Sequence, residues 1–224
     1  MSMPFPGITR NPLLPENLAK LLKGGNLLHV PTNLGWTAVV TGSGGAQEQA
    51  TYLSVHTGAT AGSTALLHLL TEGFHLDIAT SYAWDWAKKA YIIFNYIRGE
   101  LCATGIARFQ LKGVNTIGAL ATKGIGLRVD NLALVGESYG LSLGEVDLAT
   151  TLTLNQNYKI AIVFYPASKI EWYVNGVLKG TQSTAATIPT GNTPDIYQVH
   201  SAINGATAAW VISRILQPKI WQEM

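Results

Sequence analysis

The chain has 224 residues and a formal net charge of +2, and only 12% of its residues are charged. That length suffices for one large β-sandwich or two small domains. A field so weak, with no Lys/Arg cluster, excludes nucleic acid as a partner. Cys102 is the single cysteine, which excludes an intrachain disulfide. It sits in an apolar stretch and reads as a buried small hydrophobe, with a reactive thiol as the alternative. No run of about 18 apolar residues is present to span a membrane. Hydrophobic residues make up 47% and there are 23 glycines, so Ser, Thr, Asn, Gln and Gly rather than charges cover the surface. Met1-Ser-Met-Pro-Phe-Pro has neither the basic start nor the apolar core of a signal peptide, so synthesis in a cytoplasm is expected.

Taken in order, residues 1–30 read as an N-terminal arm, with residues 31–224 as one domain. Within the arm, Pro15 to Lys23 has the pattern of a short helix. Pro15 suits the first helical position, Glu16 the first turn, and Gly24-Gly25 the stop. Leu14, Leu18, Leu21 and Leu22 share one face, and a helix of about nine residues does not stand alone. That face docks either on the sandwich or on a neighbouring subunit, and the second option implies a homo-oligomer or a larger particle. Strands are expected at 36–41 and 49–55, with Gly42 to Gly45 a loop between them. Further strands are expected at 63–70, 74–77, 91–97, 104–111, 125–129, 132–135 and 141–148. The last two lie at 195–203 and 208–216. About a dozen short strands, Gly-rich turns and no βαβ alternation define an all-β sandwich.

Tyr158 to Thr181 is the most ordered stretch. Tyr158, Ile160, Ile162 and Phe164 alternate with Lys159, Ala161, Val163 and Tyr165, the period of a strand with one face on a core. After Pro166-Ala-Ser168 the alternation resumes with Ile170, Trp172 and Val174. Asn175-Gly176 then suits a two-residue type I′ hairpin, which needs φ > 0 at both central positions.

The run K-I-E-W-Y-V-N-G-V-L resembles the late hairpin of concanavalin A-like jelly rolls, a group that includes laminin-G-like modules, legume-type lectins and β-glucanases. The resemblance implies an antiparallel jelly-roll β-sandwich with the arm attached. Gly144-Glu-Val-Asp-Leu-Ala-Thr150 is similar to the Glu-x-Asp-x-Glu strand of jelly-roll glucanases. That likeness implies Glu145 as nucleophile and Asp147 as assisting carboxylate. The acid's position holds Ala149, and neither it nor Thr150 donates a proton at neutral pH. On that ground the sequence reads as a non-enzyme.

Tyr82, Trp84 and Trp86 alternate around Asp85, which allows an aromatic glycan-binding face or, equally, the core of an edge strand. Asp130-Asn131 and Asn192 with Asp195 are weak calcium candidates, and His29, His56, His68, His75 and His200 have no metal spacing. No metal or other cofactor is expected. Ser138 in G-E-S-Y-G echoes a hydrolase elbow, but that motif needs a strand-to-helix turn. A-x-K-G-I-G-L-R-V-D-N-L-A-L and G-A-T-A-G-S-T-A look similar to phage virion proteins. The functional expectation is therefore a virion structural or attachment component, with a free carbohydrate-binding module or extracellular lectin as the alternative.

Overall fold

The computed structural model describes residues 27–30, 36–49, 52–70, 84–100 and 102–223. The arm leucines Leu14, Leu18, Leu21 and Leu22, the expected helix and the expected strand at 74–77 lie outside these residues, as does Tyr82. The first strands are β1 (Leu27–Val30), β2 (Thr37–Thr41), β3 (Gly45–Glu48), β4 (Tyr52–His56), β5 (Thr64–Leu70) and β6 (Trp84–Asp85). Then come β7 (Ala90–Arg98), β8 (Ile106–Lys112), β9 (Gly124–Asp130), β10 (Ala133–Tyr139), β11 (Leu143–Thr151) and β12 (Asn157–Tyr165). The series ends with β13 (Lys169–Val174), β14 (Val177–Gln182), β15 (Asn192–Thr193), β16 (Tyr197–Ile203) and β17 (Ile212–Glu223).

All pairings are antiparallel. One sheet has the order β14-β13-β12-β7-β17-β4-β3, with β1 also on β17; the other has seven strands in the order β11-β10-β9-β8-β16-β5-β2. Sequence neighbours such as β16 and β17 lie in different sheets, the arrangement of a jelly roll. The expected all-β, concanavalin A-like sandwich is the fold observed.

The core lies between the sheets, and period-two alternation decides what enters it. Ile160, Ile162 and Phe164 of β12 and Ile170, Trp172 and Val174 of β13 are buried there. Phe94 of β7 meets Phe109 of β8 edge to face at 4.7 Å. Trp172 crosses to the seven-stranded sheet, where its Nε1 donates to the Gly126 carbonyl at 2.9 Å. Its ring lies so close to Gly136 that a Cβ there would stand 2.5 Å from it. The eight-stranded sheet is apolar on its other face as well. Tyr91, Ile93, Ala161, Val163 and Trp221 form a second buried cluster there, where the alternation had suggested one buried face per strand.

Three elements differ from the sequence pattern. Gly45, expected in a loop, starts β3, which pairs with β4. The segment from Pro218 to Trp221, beyond the last expected strand, continues β17. The register shifts between Leu216 and Lys219, so proline sits at an irregularity that does not need its missing N–H. Leu27–Val30, inside the expected arm, pairs with Ile220–Glu223 as a strand.

The hairpin follows its sequence signal. Asn175 and Gly176 have φ of 51° and 81°, and Val174 faces Val177. Asn175 also accepts a hydrogen bond from Lys159 N–H through Oδ1 at 2.9 Å, which ties the turn to β12. Gly176→Val places a β-branched side chain at positive φ and should destabilise the fold by about 1–3 kcal/mol in denaturant melts; an unchanged midpoint would mean that the turn does not constrain the hairpin.

Candidate functional site

The site is built on the face of the seven-stranded sheet turned away from the other sheet. On β8, Ala107, Phe109 and Leu111 enter the core, so Arg108, Gln110 and Lys112 point outward. On β9 the same alternation turns Gly124, Gly126, Arg128 and Asp130 outward, and on β10 Val135, Glu137 and Tyr139. Cross-strand register aligns these residues in rows. Gln110, Gly126, Glu137 and Glu145 form one row, and Lys112, Gly124 and Tyr139 the next.

Gly126 makes the first row work. Gln110 and Glu137 stand two strands apart, yet Gln110 Nε2 donates to Glu137 Oε2 at 2.7 Å by passing over β9. A Cβ on Gly126 would lie 2.8 Å from Gln110 Cγ and block that path. Glu137 also accepts from Arg108 Nε at 3.4 Å and from Arg128 Nη1 at 3.2 Å. Its carboxylate is fully buried and satisfied from three sides, as a buried charge requires. Arg128 further holds Asp130 at 2.9 Å and makes a two-pronged contact with Glu145. Burial opposes its charge. The hydrogen bond to Glu145 and the charges of Asp130, Glu137 and Glu145 outweigh that effect, so its pKa moves up.

The cluster runs from open to closed. The Glu145 and Asp130 side chains are 41% and 40% exposed, Arg128 is 15% exposed and Glu137 is 0% exposed. Lys112 marks the closed end. It is fully buried, and its ammonium nitrogen has no hydrogen-bond partner. Desolvation first, then repulsion from Arg108, push its pKa down to about 8 against the opposing pull of Glu137. Over the same spot stands Leu120, from the loop joining β8 to β9. A Cβ on Gly124 would meet Leu120 Cδ2 at 3.0 Å and Lys112 Cβ at 2.9 Å. Beside it on the same face, His68 meets Tyr197 edge to face at 6.1 Å, and burial lowers the His68 pKa.

The residues singled out from sequence fall in several places. Glu145 is on this face, but its carboxylate is held by Arg128. Asp147 accepts from Ala149 N–H at 2.8 Å, and Ala149 has φ of 46° where β11 slips register against β10. The strand is irregular at the position where a glucanase acid would stand. Trp84 and Trp86 are 5% and 0% exposed, with both rings in the main core. Trp86 packs on Phe164 at 5.3 Å, and its Nε1 donates to Thr193 Oγ1 at 2.8 Å. Asp85 caps Ala87 N–H at 2.8 Å. These two indoles therefore present no stacking platform.

Asp130 is engaged by Arg128, and Asn131 sits at φ of 55° in the β9–β10 turn. His200 is buried between the sheets, bonded to Ser213 Oγ at 2.9 Å, and burial lowers its pKa to about 3. Ser138 lies on β10 with its side chain buried, and no helix follows it. Its neighbour Glu137, passed over in the same motif, is the centre of the face. Arg108, Gln110, Lys112 and Arg128 were also missed. The available signal was I-A-R-F-Q-L-K, where three long polar residues alternate with core residues in one strand.

No family model and no curated protein matches the chain. Solved structures with the same fold do. An alginate lyase of polysaccharide lyase family 7, AlgAT5, has 14% identity and a TM-score of 0.53, over 81% of this chain and 82% of that one. An endo-β-1,4-glucuronan lyase from the fungus Trichoderma reesei has 12% identity and a TM-score of 0.57, over 86% and 94%. A β-glucanase from Bacillus licheniformis has 11% identity and a TM-score of 0.54, over 89% and 99%. At this identity the likeness establishes the fold, a concanavalin A-like jelly roll.

These neighbours overturn the expectation of a non-enzyme. That expectation rested on one missing proton donor, Ala149, and so addressed a single reaction of a fold that also carries polysaccharide lyases. The likeness to phage virion proteins gains no support. The stretch from Ala121 to Leu134 is the end of the β8–β9 loop and the β9–β10 hairpin, whose glycines answer to packing. Gly58 to Ala65 is a loop leading into β5, tied at the Gly58 and Thr60 carbonyls by Asn204 Nδ2.

Lys112 also makes a stability prediction. Its pKa is depressed when folded, so the unfolded chain binds more protons between about pH 8 and the ordinary lysine value. Wild-type stability should therefore rise with pH across that window. Lys112→Met should be more stable than wild type at pH 7, by on the order of 3 kcal/mol, and the gap should close above about pH 10. Denaturant melts across pH check this; a pH-independent gap would contradict the depressed pKa.

Proposed function

We propose that the chain is a polysaccharide-active enzyme. It takes an acidic polysaccharide along the outer face of the seven-stranded sheet and cleaves it by β-elimination. The observation that carries this reading is the charge balance at the closed end of the face. Arg108 and Lys112 there meet one carboxylate, Glu137, and Lys112 has no partner of its own. A carboxylate on the ligand would supply the missing anion.

The reaction class follows from the same geometry. Retaining hydrolysis needs two carboxyls free to act as acid and nucleophile, whereas Glu137 and Glu145 are both tied to the Arg128 guanidinium. Elimination next to a uronate instead needs cations to neutralise the substrate carboxylate, together with a base. The fold shared with an alginate lyase and a glucuronan lyase supports this choice.

Titration calorimetry with polyuronates and neutral β-glucans tests the ligand class. Binding should be confined to polyuronates and should weaken with salt, and Arg128→Ala should weaken it about tenfold, as expected for a charged hydrogen-bonding partner. Release of unsaturated uronide ends, followed by ultraviolet absorbance, tests the reaction. Preference for neutral glucans would overturn the ligand class, and binding without unsaturated ends would overturn the elimination.

A further inference from the structure

The reading above leaves the base unassigned, and Lys112 is a buried group on this face whose nitrogen has no hydrogen-bond partner. We propose that Lys112 is the proton acceptor, working on a sugar whose carboxylate is neutralised by Arg108 and Arg128. This rests on the lyase reading and deepens it.

A proton acceptor needs an unoccupied lone pair and a neutral form at working pH. Glu137 is held by three donors, and Glu145 and Asp130 are held by Arg128. A guanidinium has donors only and no acceptor to offer. Tyr139 of β10 and Tyr197 of β16 flank Lys112 in its row, and His68 of β5 packs on Tyr197. Among these charged and titratable groups, Lys112 combines full burial with a nitrogen that bonds to nothing. Its surroundings keep the amine accessible near neutrality. Arg108 repels the ammonium form, and the Leu120 loop shields the site from bulk water. That loop must swing aside to admit a sugar ring.

The step balances without an added reagent. The Nζ lone pair takes the proton on the carbon α to the uronate carboxylate. The C–H electron pair becomes the new C=C bond, the adjacent C–O bond to the leaving sugar breaks, and that oxygen takes a proton from water. Lys112 then returns its proton to solvent.

The test uses the full chain and sodium polymannuronate, polyguluronate and polyglucuronate. Wild-type kcat/KM should rise with pH to a plateau above about pH 8, because the neutral amine is the active form. Lys112→Met should lower kcat by about 10²-fold or more, a loss larger than any it causes in polyuronate affinity, with an unreduced melting temperature at pH 7. Lys112→Arg, which stays protonated, should be equally inactive. Retention of a tenth or more of the activity in Lys112→Met, or persistence of the same alkaline limb, would overturn Lys112 as base while leaving the lyase reading intact. A wild-type protein that forms no unsaturated ends from any of the three polymers would overturn both.

Discussion

The sandwich depends on one contact between its sheets. Trp172 leaves the eight-stranded sheet, lies against Gly136 of β10 and donates its indole hydrogen to the Gly126 carbonyl of β9. A fully buried indole of this kind is worth several kcal/mol to a fold. It also fixes orientation. With Gly136 facing inward beneath the ring, Glu137 must face outward. With the Gly126 carbonyl held by Trp172, β9 is anchored under the path that Gln110 takes to Glu137. Packing on one side of a single layer of backbone thus sets the charge arrangement on the other.

That arrangement is costly in isolation. A carboxylate without solvent contact is tolerable only because Arg108, Gln110 and Arg128 converge on it. The convergence is achieved across three strands, with glycine in the middle strand wherever a side chain would obstruct it. The price is rigidity: a substitution at Gly126 would be felt at Glu137 through Gln110. The open end of the cluster has no such constraint, since Glu145 and Asp130 reach solvent.

Much of the fold was legible because period two is a strong signal where one face is buried. β12 and β13 and the Asn175-Gly176 turn follow from their residues alone. β17 was cut short because Pro218 reads as a stop unless the irregularity beside it is known. β3 was lost in a glycine run. The site was less legible. Arg108, Gln110 and Lys112 sit on three alternate positions of β8, yet their meaning depends on Glu137 from β10 and Arg128 from β9, and cross-strand register is a property of the assembled sheet. The motifs that drew notice, Glu145 with Asp147 and Trp84 with Trp86, matched familiar patterns by letter. In the structure Asp147 caps a backbone bulge, and the two indoles fill the core.

The place of β17 has a consequence for how the molecule comes into being. This strand, the last of the described residues, lies inside its sheet, with β7 along one side and β4 and β1 sharing the other. Until it leaves the ribosome, β7 and β4 have no common neighbour, and the eight-stranded sheet exists as two unjoined halves with bare edges. Assembly of this sheet must therefore wait for β17. Its pairings span much of the chain, as in His56 with Ile212, so the folding rate should be slow, in the manner of proteins rich in distant contacts. During that interval the nascent chain exposes hydrogen-bonding edges that a chaperone would have reason to cover.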